Sequence, residues 1–314
     1  MALFTTPILL ATDGSEEAQL ATRAAIEMAK RSDSELHVVH AWSPVGLPPS
    51  HSNPGVTWEG FSLSMETMGE LEKQAHELLH EQIGKIEEAG GNVAEAHLRM
   101  GRPVEEILGL SERLGAGLVV VGSRGHSGIK RLVLGSVSEG VVRYAGCSVF
   151  VVREDGLEAF PGKILLATDG SAESAYAAVV VAEFSGKLGS EVHVVHVGHE
   201  VPVPHFEPEV QAQFEVEARE TLAGETERVQ GAGGEVAQSH LRMGPSAEEV
   251  RELTEELGVG TVVVGSRGPS TIKRVVMGSV SESVVRNVHC SVLVVRAGEQ
   301  NTSSGGSKWA ARSR

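Results

Sequence analysis

Short, almost wholly apolar runs alternate through most of the chain with longer segments whose apolar residues return every three or four positions. Ile8–Thr12 reads as a buried strand. Ser15 stands where it caps a helix running to about Arg31, with Ala18, Ala21, Ala25 and Met28 on one stripe. Leu36–Ala41 is a second strand, with His37 and His40 at its borders. Leu63–Ala89 is helical in pattern and ends at Gly90-Gly91. Val93–Met100 is a third strand, and Pro103 suits the first turn of a helix to about Leu114. Leu118–Val121, Ser136–Tyr144 and Ser148–Val152 complete the series as strand, short helix and strand.

The same series then returns. Ile8–Ser15, ILLATDGS, recurs at Ile164–Ser171; His37–His40 recurs at His193–His196; His97–Gly101, HLRMG, recurs at His240–Gly244. The spacing between the second and third landmarks is longer in the first half, and the Pro/Gly/Ser-rich stretch at 44–60 accounts for the excess. A period as long as a whole domain marks a duplication and not a solenoid. The expected division is 1–154 and 163–297 as two domains, 155–162 as linker, and the polar 298–314 as a disordered tail. Alternating strands and helices favour parallel sheets with right-handed crossovers, and continuous apolar strands such as Leu118–Val121 fit sheets covered on both faces.

Composition narrows the functional classes. The chain has 314 residues, enough for two cores, with 41% hydrophobic and 22% charged residues. A net charge of −15 argues against a duplex nucleic-acid binder and against attraction to an anionic membrane. No apolar run approaches a membrane span, and the N-terminal residues pass directly into a strand pattern without a signal-peptide profile. The two cysteines, Cys147 and Cys290, read as buried small hydrophobes of a reducing compartment, so a cytoplasmic location is expected.

The strongest chemical signal is VVVGSRGHSGIKRLVLGSVS at 119–138, which returns as VVVGSRGPSTIKRVVMGSVS at 262–281. A strand ending in Gly122 and Gly125, then Gly135 ahead of a helix start, is one way to hold a phosphate on backbone N–H groups. The plainer reading is a strand–helix turn in which Ser136-Val-Ser-Glu139 forms a capping box. Glu139 and Glu282 also set negative charge beside any phosphate. The full spacing twice in one chain favours the phosphate reading. Asp13-Gly14-Ser15 taken alone reads equally as a turn with an N-cap and as a functional carboxylate. Lys130-Arg131 and Lys273-Arg274 either offset phosphate charge or form a solvated face.

Both halves, from about Thr6 to Arg296, resemble the universal stress protein family in its tandem form. The family's ATP-binding motif runs Gly, two residues, Gly, nine residues, Gly, then Ser or Thr. It is matched by Gly122, Gly125, Gly135 and Ser136, and by Gly265, Gly268, Gly278 and Ser279. The resemblance implies that these, with Ser123, Arg124, Val137 and Ser138 and with Ser266, Arg267, Val280 and Ser281, line triphosphate and ribose. It sets Asp13 and Asp169 near ribose and any magnesium, and Ala11, Ala41, Ala167 and Val197 against adenine. Arg124 and Arg267 receive no fixed role from it.

The fold implied is α/β: two tandem doubly wound, Rossmann-like domains, each a five-stranded parallel sheet of order 3-2-1-4-5 flanked by helices. Asp13 and Gly122–Gly125 then flank the topological switch point. Each fifth strand would be an apolar edge without Pro or Lys, so the two are expected to pair antiparallel as an intrachain pseudo-dimer, with higher homo-oligomers left open. His37 and His40, three apart on a strand, point to opposite faces and cannot chelate together. A His40–His97 pair is conceivable, without a cysteine or carboxylate cluster to support it. The leading expectation is an ATP-binding stress-response regulatory switch, with magnesium carried by the nucleotide. The alternatives are a slow ATPase or phosphotransferase at the same sites, and a nucleotide-free dimerisation module.

Overall fold

The computed structural model describes residues 5–43, 65–125, 134–153, 162–198, 208–267 and 277–297. The 44–60 loop, nearly all of the linker, the tail, Gly268 and both Lys-Arg pairs lie outside the described residues. The first half runs β1 (Ile8–Ala11), α1 (Glu16–Ser32), β2 (Leu36–Trp42), α2 (Met65–Glu88), β3 (Val93–Met100), α3 (Pro103–Leu114), β4 (Leu118–Gly122), α4 (Ser136–Tyr144) and β5 (Ser148–Val152). The second half repeats it as β6 (Lys163–Thr168), α5 (Ala172–Leu188), β7 (Glu191–Gly198), α6 (Pro208–Gly231), β8 (Val236–Met243), α7 (Ser246–Leu257), β9 (Thr261–Gly265), α8 (Ser279–Asn287) and β10 (Ser291–Val295).

Local chemistry sets the helix ends. The Ser15 hydroxyl accepts from Ala18 N at 3.2 Å to start α1, and left-handed Asp33, φ 58°, stops it. Pro103 opens α3, whose last carbonyls are met by left-handed Gly115, φ 61°. In the first half β1 pairs in parallel with β2 and with β4, β2 with β3, and β4 with β5. The second half has the same order, and β5 joins β10 antiparallel, so that all ten strands form one sheet. One apolar layer, on α1 and α5, includes Ile8, Leu10, Leu118, Val120 and Phe150; the other, on α3, α4, α7 and α8, includes Leu9, Val39, Val119 and Val121. No helix among the described residues is long and apolar enough to cross a membrane.

The junction of the halves is built reciprocally. Phe150 meets Phe184 edge to face at 6.4 Å between ring centroids. Arg153, just after β5, donates its backbone N–H to Ser291 Oγ at 3.1 Å and its guanidinium to the carbonyls of Cys290 at 3.2 Å and Val285. Arg296, just after β10, does the same in reverse, to Ser148 Oγ at 3.2 Å and to the carbonyls of Val142 and Arg143. Each arginine therefore caps the last turn of the other half's short helix, where unpaired carbonyls and the helix dipole favour a cation. Burial lowers the Arg296 pKa to about 10, so the group stays charged at neutral pH. Neither Cys147 nor Cys290 is in a disulfide, and burial raises the Cys147 pKa to about 11.

A chain cut by protease within 154–161 should therefore stay together on gel filtration; two separated halves would contradict the strand junction. Arg296→Met, keeping bulk but losing the charge-assisted hydrogen bonds, should cost about 1.5–3 kcal/mol in urea unfolding.

Candidate functional site

The site begins where β1 and β4 end side by side. Beyond β1 the chain turns into α1 on one face of the sheet, and beyond β4 it reaches α4 on the other. The divergence leaves a crevice at the carboxyl ends of the strands. A cavity of about 220 Å³ occupies it in the first half, and one of about 560 Å³ occupies the equivalent place in the second. The larger lies within the usual range of small-molecule pockets.

The start of α4 carries the anion-binding capacity. Its N-cap is Gly135, not Ser136, and no side chain caps the first turn. The capping-box alternative is thereby excluded, because a glycine at that position has nothing to offer the first-turn amides. Gly135 spends its own N–H on Ser123 O at 2.8 Å, so the amides facing the crevice are those of Ser136 to Ser138. The Ser138 hydroxyl donates to Gly122 O at 2.7 Å and ties the helix start to the strand end. In the second half, Gly278 N meets Ser266 O at 2.8 Å and Ser281 Oγ meets Gly265 O at 2.7 Å.

The glycines serve close approach. A Cβ on Gly122 would stand 2.7 Å from the backbone of Glu17 at the first turn of α1. A Cβ on Gly125 would stand 2.2 Å from Asp13 Oδ2, so the turn needs glycine in order to accept the carboxylate beside it. Asp13 is at once turn-former and site residue: its Oδ1 accepts from Ser15 N at 3.0 Å and Ser15 Oγ at 2.6 Å. Asp169 Oδ1 likewise accepts from Ser171 N at 3.0 Å. Arg124 pairs with Glu17 at 3.0 Å, and Arg267 lies 3.7 Å from Glu173.

Glu139, in the first turn of α4, has its charge met by Arg286 of the other half at 2.5 Å, and the same guanidinium reaches Glu282 at 3.2 Å. These groups are well exposed, so the pairs add little stability. They do offset negative charge near both helix starts.

Ala11, Asp13, Ala41, Gly122, Arg124, Gly125, Gly135, Ser136, Val137 and Ser138 all line the first cavity. Ala167, Asp169, Val197, Gly265, Arg267, Gly278, Ser279, Val280 and Ser281 line the second. Ser123 and Ser266 line neither. Both are buried just past the strand end and join the two parts of the motif through their carbonyls.

Residues that motif reading did not single out include Val39, Ile107 and Pro103 in the first wall, and Val195, His196, Phe214, Glu217 and Thr221 in the second. Val39 and Val195 were legible as the positions two before Ala41 and Val197 on the same strand face. The α6 residues carry no such signal. His40 and His196 each donate Nδ1–H to a strand-end carbonyl, Thr12 O and Thr168 O, both at 2.9 Å.

The conceivable His40–His97 pair is not formed. His40 pairs in register with Leu98, so its side chain lies on the opposite face from His97. His97 instead meets His37, Nε2 to Nδ1 at 3.2 Å, and His240 meets His193 at 3.0 Å. Burial pushes His97 and His240 below the ordinary imidazole range.

The sequence matches the profile of the Universal stress protein family twice, over residues 5–153 and 161–296. A universal stress protein of Mycobacterium tuberculosis is 27% identical over 300 residues, covering 92% of this chain and 96% of the relative. The Bacillus subtilis universal stress protein YxiE is 35% identical over 146 residues, 46% of this chain and 97% of its own. Among solved structures, a universal stress protein from Archaeoglobus fulgidus superposes with a TM-score of 0.65 at 27% identity, over 92% of this chain and 98% of that one.

Two glycine substitutions separate packing from site chemistry. Gly122→Ala forces β4 away from α1 and should destabilise the chain by about 1–3 kcal/mol in thermal or urea unfolding. Gly125→Ala meets a movable carboxylate, so it should leave the melting temperature nearly unchanged while displacing Asp13. Equal destabilisation by both would contradict the distinction.

Proposed function

The chain belongs to the universal stress protein family, and on that premise we propose that each half binds one adenine nucleotide. The chain then works as a ligand-dependent regulatory protein of the stress response in the cytoplasm. The observation that carries this reading is the uncapped, glycine-led helix start beside a strand-end cavity, built twice from the same contacts.

The residues fit a nucleotide. The first-turn amides of α4 and α8 supply donors for phosphate oxygens, and the helix dipole adds favourable charge. Ala11 and Ala41, and Ala167 and Val197, offer small apolar walls suited to a base. Asp13 and Asp169 supply one carboxylate per site, enough to share a magnesium ion with phosphate oxygens and too few for a protein-only cage. Bound magnesium would neutralise phosphate charge there.

A regulatory role is favoured over an ATPase by what surrounds the phosphates. Asp13 and Asp169 are held by the serines that follow them, and His196 spends Nδ1 on Thr168 O. The remaining carboxylate among the lining residues, Glu217, comes from α6 and has no counterpart in the first cavity. Among the described residues neither cavity presents a matched base and nucleophile.

Calorimetry of nucleotide-free chain with Mg-ATP should give about two sites per chain. Asp13→Asn together with Asp169→Asn should remove most of the magnesium dependence of affinity. Turnover should stay well below the roughly 10 per second of a typical enzyme. A stoichiometry of one would overturn the two-site reading. Rapid multiple turnover, lost in Asp13→Asn with affinity retained, would favour the enzyme.

A further inference from the structure

The buried histidine pair of the first half lies outside the nucleotide crevice and has no part in the function proposed above. His37 is near the start of β2, whose other end lines the cavity, and β3 is the outer strand of the sheet. A register shift between Leu36 and His37 sets His37 opposite Glu95, and two residues on Val39 stands opposite His97. Parallel pairing and the two-residue period therefore bring His37, Glu95 and His97 onto one face of the sheet.

The geometry is that of a ligand set. His37 Nδ1 and His97 Nε2 are 3.2 Å apart. Two nitrogens bound at about 2.0–2.1 Å to one tetrahedral ion stand about 3.3 Å apart. Each of the three side chains has a ligand atom within 4.8 Å of those of the others. Both imidazoles are buried, whereas Glu95 is exposed, its carboxylate 3.7 Å from His97 Nδ1, and it must turn to share an ion with Nε2. Glu35 stands 3.6 Å from His37 Nε2, just outside hydrogen-bond range of the nitrogen that a metal on Nδ1 would leave protonated. Arg99 and Arg113 add opposing positive charge near His97, which the two carboxylates offset.

The second half is an internal control. There Glu191 sits 2.8 Å from His193 Nε2 and takes its N–H, leaving Nδ1 as a lone pair. His240 Nε2–H then closes the chain at 3.0 Å. Gln238 stands in register opposite His193, where the first half has Glu95 opposite His37, so the ionisable third ligand is missing. Among the described residues of the first half no carboxylate lies within hydrogen-bond range to fix the tautomers: the two distances are 3.6 and 3.7 Å.

We infer that the first half binds one divalent transition-metal ion of the zinc class, through His37, His97 and Glu95, with water at the fourth position. Two imidazoles and a carboxylate suit zinc over magnesium or calcium, which prefer all-oxygen ligation.

The test is a Zn2+ titration of tag-free, full-length chain against a competing chelator, with Co2+ absorption as a second probe. One ion per chain should bind to the nucleotide-free chain. Glu95→Gln, a surface change that leaves the fold intact, should weaken binding at least ~10-fold, and His97→Gln should abolish it. His240→Gln should leave it unchanged. Absence of Zn2+ binding would overturn the site and leave a pair of hydrogen-bonded imidazoles. Equal affinity in wild type and Glu95→Gln, or dependence on His240, would also overturn it.

Discussion

The parallel pairing of β1 with β4, and of β6 with β9, is the constraint on which the rest of each half depends. Two neighbouring strands whose chains leave to opposite faces cannot be closed over at their carboxyl ends, so the fold itself leaves a crevice there. Glycine at the strand end lets the helix start lie close: a Cβ on Gly122 would stand 2.7 Å from the first turn of α1, and one on Gly265 would stand 3.1 Å from that of α5. The serine hydroxyls of Ser138 and Ser281 then bind the strand-end carbonyls and set the short helices at a fixed height. Packing, not the ligand, thus fixes where the uncapped amides stand, and preorganised donors lose little freedom when an anion arrives.

Duplication resolves the liability of the apolar fifth strands. An exposed run such as Ser148–Val152 would invite edge-to-edge association, and pairing with β10 removes both edges at once. The same junction joins the two candidate sites physically. Each short helix presents its N-terminus to its own crevice and its C-terminus to an arginine of the other half. Arg286 also spans Glu139 and Glu282, so charge balance at the two helix starts is shared across the interface.

Much of this was legible in the chain because local and global signals agree. Pro103 and Gly115 bound α3, Gly90-Gly91 end the α2 segment, and the repeat makes each half a check on the other. Sheet order came from the resemblance to the family, since alternating strands and helices fix only the parallel class. What escaped the sequence depends on side-chain direction and on contacts between halves. The His37–His97 pair needed the register shift at Leu36, which no pattern announces. The close approach of Gly125 to Asp13 arises from β1 and β4 ending side by side, which the motif spacing does not encode. Ser123 and Ser266 lie inside the motif yet act through buried backbone. Arg153 and Arg296 look like ordinary residues after a strand, and their importance arises only when the other half supplies the carbonyls.

The central claim is that the first-turn amides of α4 and α8 are the phosphate donors. Amide hydrogen exchange of the full-length chain, with and without Mg-ATP, tests it residue by residue. The account predicts slowed exchange at Ser136 to Ser138 and at Ser279 to Ser281. Little change is expected at Gly135 and Gly278, whose amides are already bonded to Ser123 and Ser266. Saturating nucleotide that protects other segments while these six amides exchange as before would contradict it.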